Sequence, residues 1–67
     1  MQPHQERVVK EKQKLDVKLH KLREFMLTST FKDLSLKETI RLYRQEMVME
    51  MYSKILGERI TAFKEGQ

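Results

Sequence analysis

Apolar residues recur along the first third of the chain at Val8, Leu15, Leu19, Leu22 and Met26, spaced by 7, 4, 3 and 4 positions, with Phe25 at the edge of the row. That spacing is one stripe of an α-helix. No glycine or proline interrupts His4 to Leu27, and Pro3 stands where a helix tolerates proline best, in its first turn. The pattern predicts a helix over about 3–28. Thr28-Ser29-Thr30 then breaks it, because side-chain hydroxyls compete for backbone hydrogen bonds and favour caps and turns. Phe31 and Leu34 bracket Lys32 and Asp33, which fits a short helical turn at 30–34. Ser35-Leu36-Lys37-Glu38 has the form of a capping box, with Leu34 placed to staple onto Thr39 or Ile40.

A second helix is therefore expected over about 36–63. It carries Leu36, Ile40, Tyr43, Met47, Met51 and Ile55, and a second row of Val48, Tyr52, Ile55 or Leu56, and Ile60. Two rows make an apolar arc wider than one partner helix covers. The segment MVMEM at 47–51 has more apolar surface than a two-helix hairpin uses, so a second chain should cover the remainder. Gly57 either ends this helix or stays within it and admits a close neighbour. The helical pattern of Glu58, Arg59, Ile60, Ala62 and Phe63 favours continuation. The expected fold is all-α: two long helices joined by a short turn, in one domain over 1–67, assembling as a helical homo-oligomer.

Composition sharpens the oligomer expectation. A chain of 67 residues buries a modest fraction of its surface as a monomer. With no cysteine it has neither a disulfide nor a thiolate zinc site. Small folds without such staples lean on oligomerisation or very regular helix packing. His4 and His20 are 16 residues apart, which is not a metal-ligand spacing on one helix, and no cofactor is expected. The polar start from Gln2 to Glu6 does not read as a signal peptide, and no apolar run approaches a membrane span.

The charge balance is +4 in a chain that is 36% charged. Acids and bases are mixed along it, with pairs such as Glu6–Lys10 and Lys14–Lys18 of opposite sense. That mixing argues against long nucleic acid or a membrane as partner. Catalysis finds no support: two histidines in polar helical settings make no credible triad, and Gly57 and Gly66 alone make no phosphate loop. Binding remains. Arginine offers a planar charged fork for phosphate, and aromatic rings offer faces for bases. Arg41, Arg44 and Arg59 lie on the second helix near Tyr43 and Tyr52, while Arg7, Lys10, Lys14, Lys18 and Lys21 lie on the first. In an oligomer they could converge across subunit boundaries. Equally, most of these charges could form a solvated face, the tyrosines could be core or interface residues, and Arg59 could pair with Glu58 or with an acid of a neighbouring chain. From these features a helical protein-interaction module leads, with nucleotide binding and nucleic-acid binding as alternatives.

One resemblance adds to this. His4-Gln5-x-Arg7-Val8-Val9-x-Glu11-Lys12, then Leu15, Lys18, Leu22 and Phe25, then Phe31-x-x-Leu34, Gln45-x-Met47, Tyr52, Ile55-Leu56 and Arg59-Ile60, together resemble a family of short tailed-phage proteins. Its members include the anti-CBASS sponges, which sequester the cyclic oligonucleotide messengers of bacterial immunity. The likeness spans roughly 3–60. It implies a homohexamer in the cytoplasm of the infected bacterial host. It implies pockets between protomers for cyclic di- and trinucleotides, and ligand held without cleavage. A lysine of the first long helix and an arginine near the end of the last one touch ligand in that family. Lys21 and Arg59 match them best by place and type. With Arg7, Arg44 and Tyr52 they form the candidate ligand-binding set. The family's dinucleotide pocket also uses an early aromatic, and this chain has none before Phe25, which weakens that site relative to the trinucleotide one.

Overall fold

The computed structural model describes residues 1–66 and contains three helices: α1 (Pro3–Phe25), α2 (Ser29–Lys32) and α3 (Leu36–Lys64). α1 folds back on α3 to give an antiparallel hairpin measuring 48 × 15 × 14 Å. At about 1.5 Å per residue, the 29-residue α3 accounts for nearly the whole long dimension.

Each boundary has a local cause. Pro3 opens α1, and the Gln2 backbone N–H donates to Gln5 Oε1 at 2.9 Å. α1 stops at Phe25, three residues short of the expected end, because Thr28 turns to other work. Its hydroxyl donates to the Phe25 carbonyl at 2.6 Å and accepts the Phe31 N–H at 3.3 Å, capping α2. The short helical turn expected at 30–34 is this α2, over 29–32. At the start of α3, Ser35 accepts the Glu38 N–H at 3.2 Å as the capping pattern requires. The reciprocal half of the box does not form: the Glu38 carboxylate is 3.2 Å from Arg41 instead. Gly57 lies inside α3, which runs unbroken to Lys64.

The face α3 turns toward α1 differs from the expected one. Leu42, Glu46, Met49, Ser53, Leu56, Ile60 and Phe63 are buried or half-buried, and they alternate by 4 and 3 residues. Gln5, Val8, Lys12, Leu15, Leu19, Leu22 and Met26 do the same on α1. The pairing is that of a short antiparallel coiled coil, with an average period of 3.5. Leu56 is the one fully buried side chain among the described residues, at 0% exposure. The stripe Leu36–Ile40–Tyr43–Met47–Met51–Ile55 is therefore not the seam: every member is exposed. Only Leu56 and Ile60 of the second expected row face inward. The reason is that two seam positions, Glu46 and Ser53, are polar, so the inward face looks less apolar in sequence than the outward one.

An aromatic plug closes the turn end. Phe31 is buried between Phe25 and Tyr43, with ring centroids at 6.0 and 5.6 Å and edge-to-face geometry. Such pairs contribute about 0.5–1.5 kcal/mol each beyond the area they bury. At the other end His4 meets the edge of Phe63 at 6.3 Å.

Candidate functional site

The polar members of the seam satisfy one another. Lys12 Nζ lies 2.8 Å from Asp16 Oδ2, one turn along α1, and donates to Ser53 Oγ across the interface at 3.0 Å. Ser53 Oγ in turn donates to Asp16 Oδ1. The hydrogen bond from Lys12, then the one from Ser53, hold the Asp16 carboxyl below its ordinary 3.8. Gly57 makes room for this arrangement: a Cβ there would sit 3.3 Å from Lys12 Cε. Nearer the turn, Arg23 spans the interface to Glu46 at 2.7 Å and to Glu50 at 3.6 Å, and Lys54 approaches Glu50 at 4.0 Å. These bonds fix register: His4 beside Phe63, Lys12 beside Ser53, Arg23 beside Glu46.

With the seam so placed, the rest of α3's apolar surface points away from α1. Met47 (64% exposed), Val48, Met51 (66%), Tyr52 (41%) and Ile55 line an open groove on that outer side, together with Glu50 and Lys54. Side chains this apolar gain about 1.5–3 kcal/mol each on full burial, so a row left between 41% and 67% exposed is a drive toward a partner. Met side chains suit a surface that must fit an irregular neighbour. The row is bracketed by cations: Arg44, Val48, Tyr52, Ile55 and Arg59 follow at spacings of 4, 4, 3 and 4. That puts both arginines on the outer face, about 22 Å apart along the axis.

The five candidate residues are all exposed, and they do not meet within one protomer. Register sets Arg7 level with the turn around Ile60, close to Arg59 along the axis. It sets Lys21 level with the turn around Glu46, close to Arg44. The two groups stand about 20 Å apart by the helical rise. Tyr52 lies between them on the outer face of α3. Among the described residues, Arg7, Lys21, Arg44 and Arg59 have no acidic partner. Arg59 does not pair with Glu58, and the expected Glu6–Lys10 pair is absent as well. Tyr43 faces two ways: one side of its ring packs on Phe31 while half of the residue stays exposed. Sequence reasoning missed the Lys12–Asp16–Ser53 network. Its signal was the alternating 3–4 register itself, which a purely apolar reading passes over.

Among the described residues no group of three or more His, Cys, Asp or Glu side chains is placed to hold a metal ion, and no helix is long and apolar enough to cross a membrane. The class these features define is a small all-helical binding module, with guanidinium groups at the ends of an uncovered apolar face. The family model Sequestin matches residues 2–62, and the chain belongs to that family. Sequestins are phage anti-CBASS proteins that act as sponges for cyclic oligonucleotides, in agreement with the resemblance drawn from the sequence motifs. They are sponge-type binding proteins, not known as enzymes. No curated protein and no solved structure matches the chain.

Proposed function

We propose that this protein binds cyclic di- and trinucleotide messengers of CBASS immunity and withholds them, uncleaved, from their effectors in the cytoplasm of the infected host. The observation that carries the reading, beside family membership, is the pair of unpartnered arginines at the two ends of an exposed Met- and Tyr-bearing face. A cyclic oligonucleotide packs two or three phosphates into a small ring with bases on its rim. Guanidinium forks match the phosphates, and an aromatic face such as Tyr52 suits a base.

One protomer places its two groups of cations about 20 Å apart, too far for both to close on one small ligand. The reading therefore includes a homo-oligomer, a hexamer by the resemblance, in which the outer face of α3 meets a second copy. Symmetry then repeats each cation around an axis and brings Arg59 or Arg44 of one copy toward Lys21 and Arg7 of another. Arg59 sits just beyond the Met row, at the rim of that interface. Holding a ligand between subunits requires no general acid, base or nucleophile.

The test is thermal unfolding with a panel of cyclic di- and trinucleotides and their linear analogues. Ligand that binds the folded state alone raises stability by about 2.7 kcal/mol at a hundredfold excess over Kd. For a domain of this size that is a shift of several degrees at least. Rings should shift the transition and linear analogues should not. Arg59→Ala should keep the assembly and lose trinucleotide binding; unchanged binding removes Arg59 from the site. No shift with any ring would favour the second reading, a helical module whose outer α3 face docks a protein and no nucleotide.

A further inference from the structure

Along the sequence the acids and bases of the first helix alternate, which argues against a polyanion partner. In the fold five of the bases fall on one side of the helix. Arg7, Lys10, Lys14, Lys18 and Lys21 recur at 3, 4, 4 and 3 residues and are all exposed, on the side of α1 away from the seam. Of the acids of the same helix, Glu6, Glu11 and Glu24 stand beside the row, one turn from Lys10, from Arg7 and Lys14, and from Lys21, without pairing with any of them. Asp16 is tied to Lys12 and Ser53, and Glu24 sits 3.4 Å from His20. None of the five cations pairs with an acid among the described residues. The chain has 14 basic and 10 acidic residues. With these five set aside the remainder nearly cancels, nine against ten. Among the described residues these five are the unpaired cations of α1; Arg44 and Arg59 on α3 have no acidic partner either.

We propose that this face binds the phosphate backbone of duplex nucleic acid without reading its sequence. The row is about 21 Å long, with neighbouring cations about 5–6 Å apart at their Cβ atoms. Four of the five are lysines, flexible point charges suited to phosphate and indifferent to geometry. No aromatic belongs to the row, since Phe25 at its far end packs on Phe31. Single-stranded ligands, which rely on stacking, therefore gain no special hold. Val17 is the apolar side chain within it, so the face lacks the apolar half that an interfacial membrane helix inserts. The row shares Arg7 and Lys21 with the candidate messenger set, while Lys10, Lys14 and Lys18 belong to no assigned messenger contact, so a variant at those three separates the two readings.

The experiment is fluorescence anisotropy of a labelled DNA duplex of about 20 base pairs, titrated with the full chain at several salt concentrations. Each neutralised phosphate contributes about −0.9 to the slope of log affinity on log salt. Five contacts give a slope near −4.5 and about a 500-fold loss between 50 and 200 mM. The Lys10→Gln, Lys14→Gln, Lys18→Gln triple variant should weaken binding and reduce the slope to about −1.8, with helicity by circular dichroism unchanged. A wild-type slope shallower than about −1 overturns the proposal whether or not the variant folds. So does a folded variant that binds as tightly as wild type, or wild-type protein that prefers anionic phosphatidylserine vesicles to the duplex at equal salt. Thermal shift of the same variant with cyclic oligonucleotides reports on the messenger reading separately.

Discussion

Ser53→Ala tests whether the polar network in the seam stabilises the hairpin. Ser53 is buried at 9% exposure and makes two hydrogen bonds to charged partners, accepting from Lys12 and donating to Asp16. A bond to a charged group contributes about 1.5–3 kcal/mol when it is shielded from water. Here the shielding is partial, since the Lys12 and Asp16 side chains are 29% and 45% exposed and keep each other at 2.8 Å without the serine. Water replaces part of what is lost, which lowers the expected cost to about 1–2 kcal/mol. For a chain of this size that is a fall in Tm of roughly 5–10 °C. The effect should also depend on pH. Asp16 has a folded-state pKa below its unfolded 3.8. Its contribution is therefore present above that value and is lost as pH falls through the folded pKa. Removing Ser53 removes one cause of the depression, so the gap between variant and wild type should narrow in acid. The assay is urea unfolding followed by circular dichroism, at one fixed protein concentration because assembly shifts apparent stability. A cost under about 0.5 kcal/mol at neutral pH, the range of an ordinary surface change, would refute the reasoning. A gap that stays constant well below pH 3.8 would do the same.

Gly57→Ala sets two effects against each other. Helix propensity favours alanine by about 0.8–1.0 kcal/mol, while the new Cβ meets Lys12 Cε at 3.3 Å. The lysine stem is flexible and partly exposed, so a net gain of a few tenths of a kcal/mol is expected in chemical denaturation; a loss beyond about 0.5 kcal/mol would mean that the network cannot shift. Met47→Glu places a charge in the middle of the outer α3 face. Because Met47 is already 64% exposed in the hairpin, the variant should keep its helicity and run as a smaller species in analytical ultracentrifugation. A variant that sediments like wild type would remove Met47 from the subunit interface.

The helices themselves were legible, because they rest on local signals: Pro3 at the start of α1, the Ser35 cap, and the hydroxyl-rich break at 28–30. So was the surplus of apolar surface around 47–55, which follows from the width of the arc. The inward face was not. Glu46 and Ser53 occupy seam positions because Arg23, Lys12 and Asp16 reach across to meet them. A pairing between residues 23 or 41 positions apart leaves no mark in either helix's own periodicity. The apolar stripes instead marked the face that α1 leaves bare. The alignment of five bases on one side of α1 was hidden for a related reason: mixing along the chain says little about placement around a helix. The candidate binding residues were legible as types. Their division between two ends of a rod depends on the antiparallel register.

The most direct test of the sponge reading is calorimetric titration of the intact protein with cyclic di- and trinucleotides, followed by denaturation and chromatography of the released ligand. Saturable binding at less than one ligand per chain, with the ring recovered intact, is the result expected of sites shared between copies. No heat with any ring, or release of linear products, would contradict it.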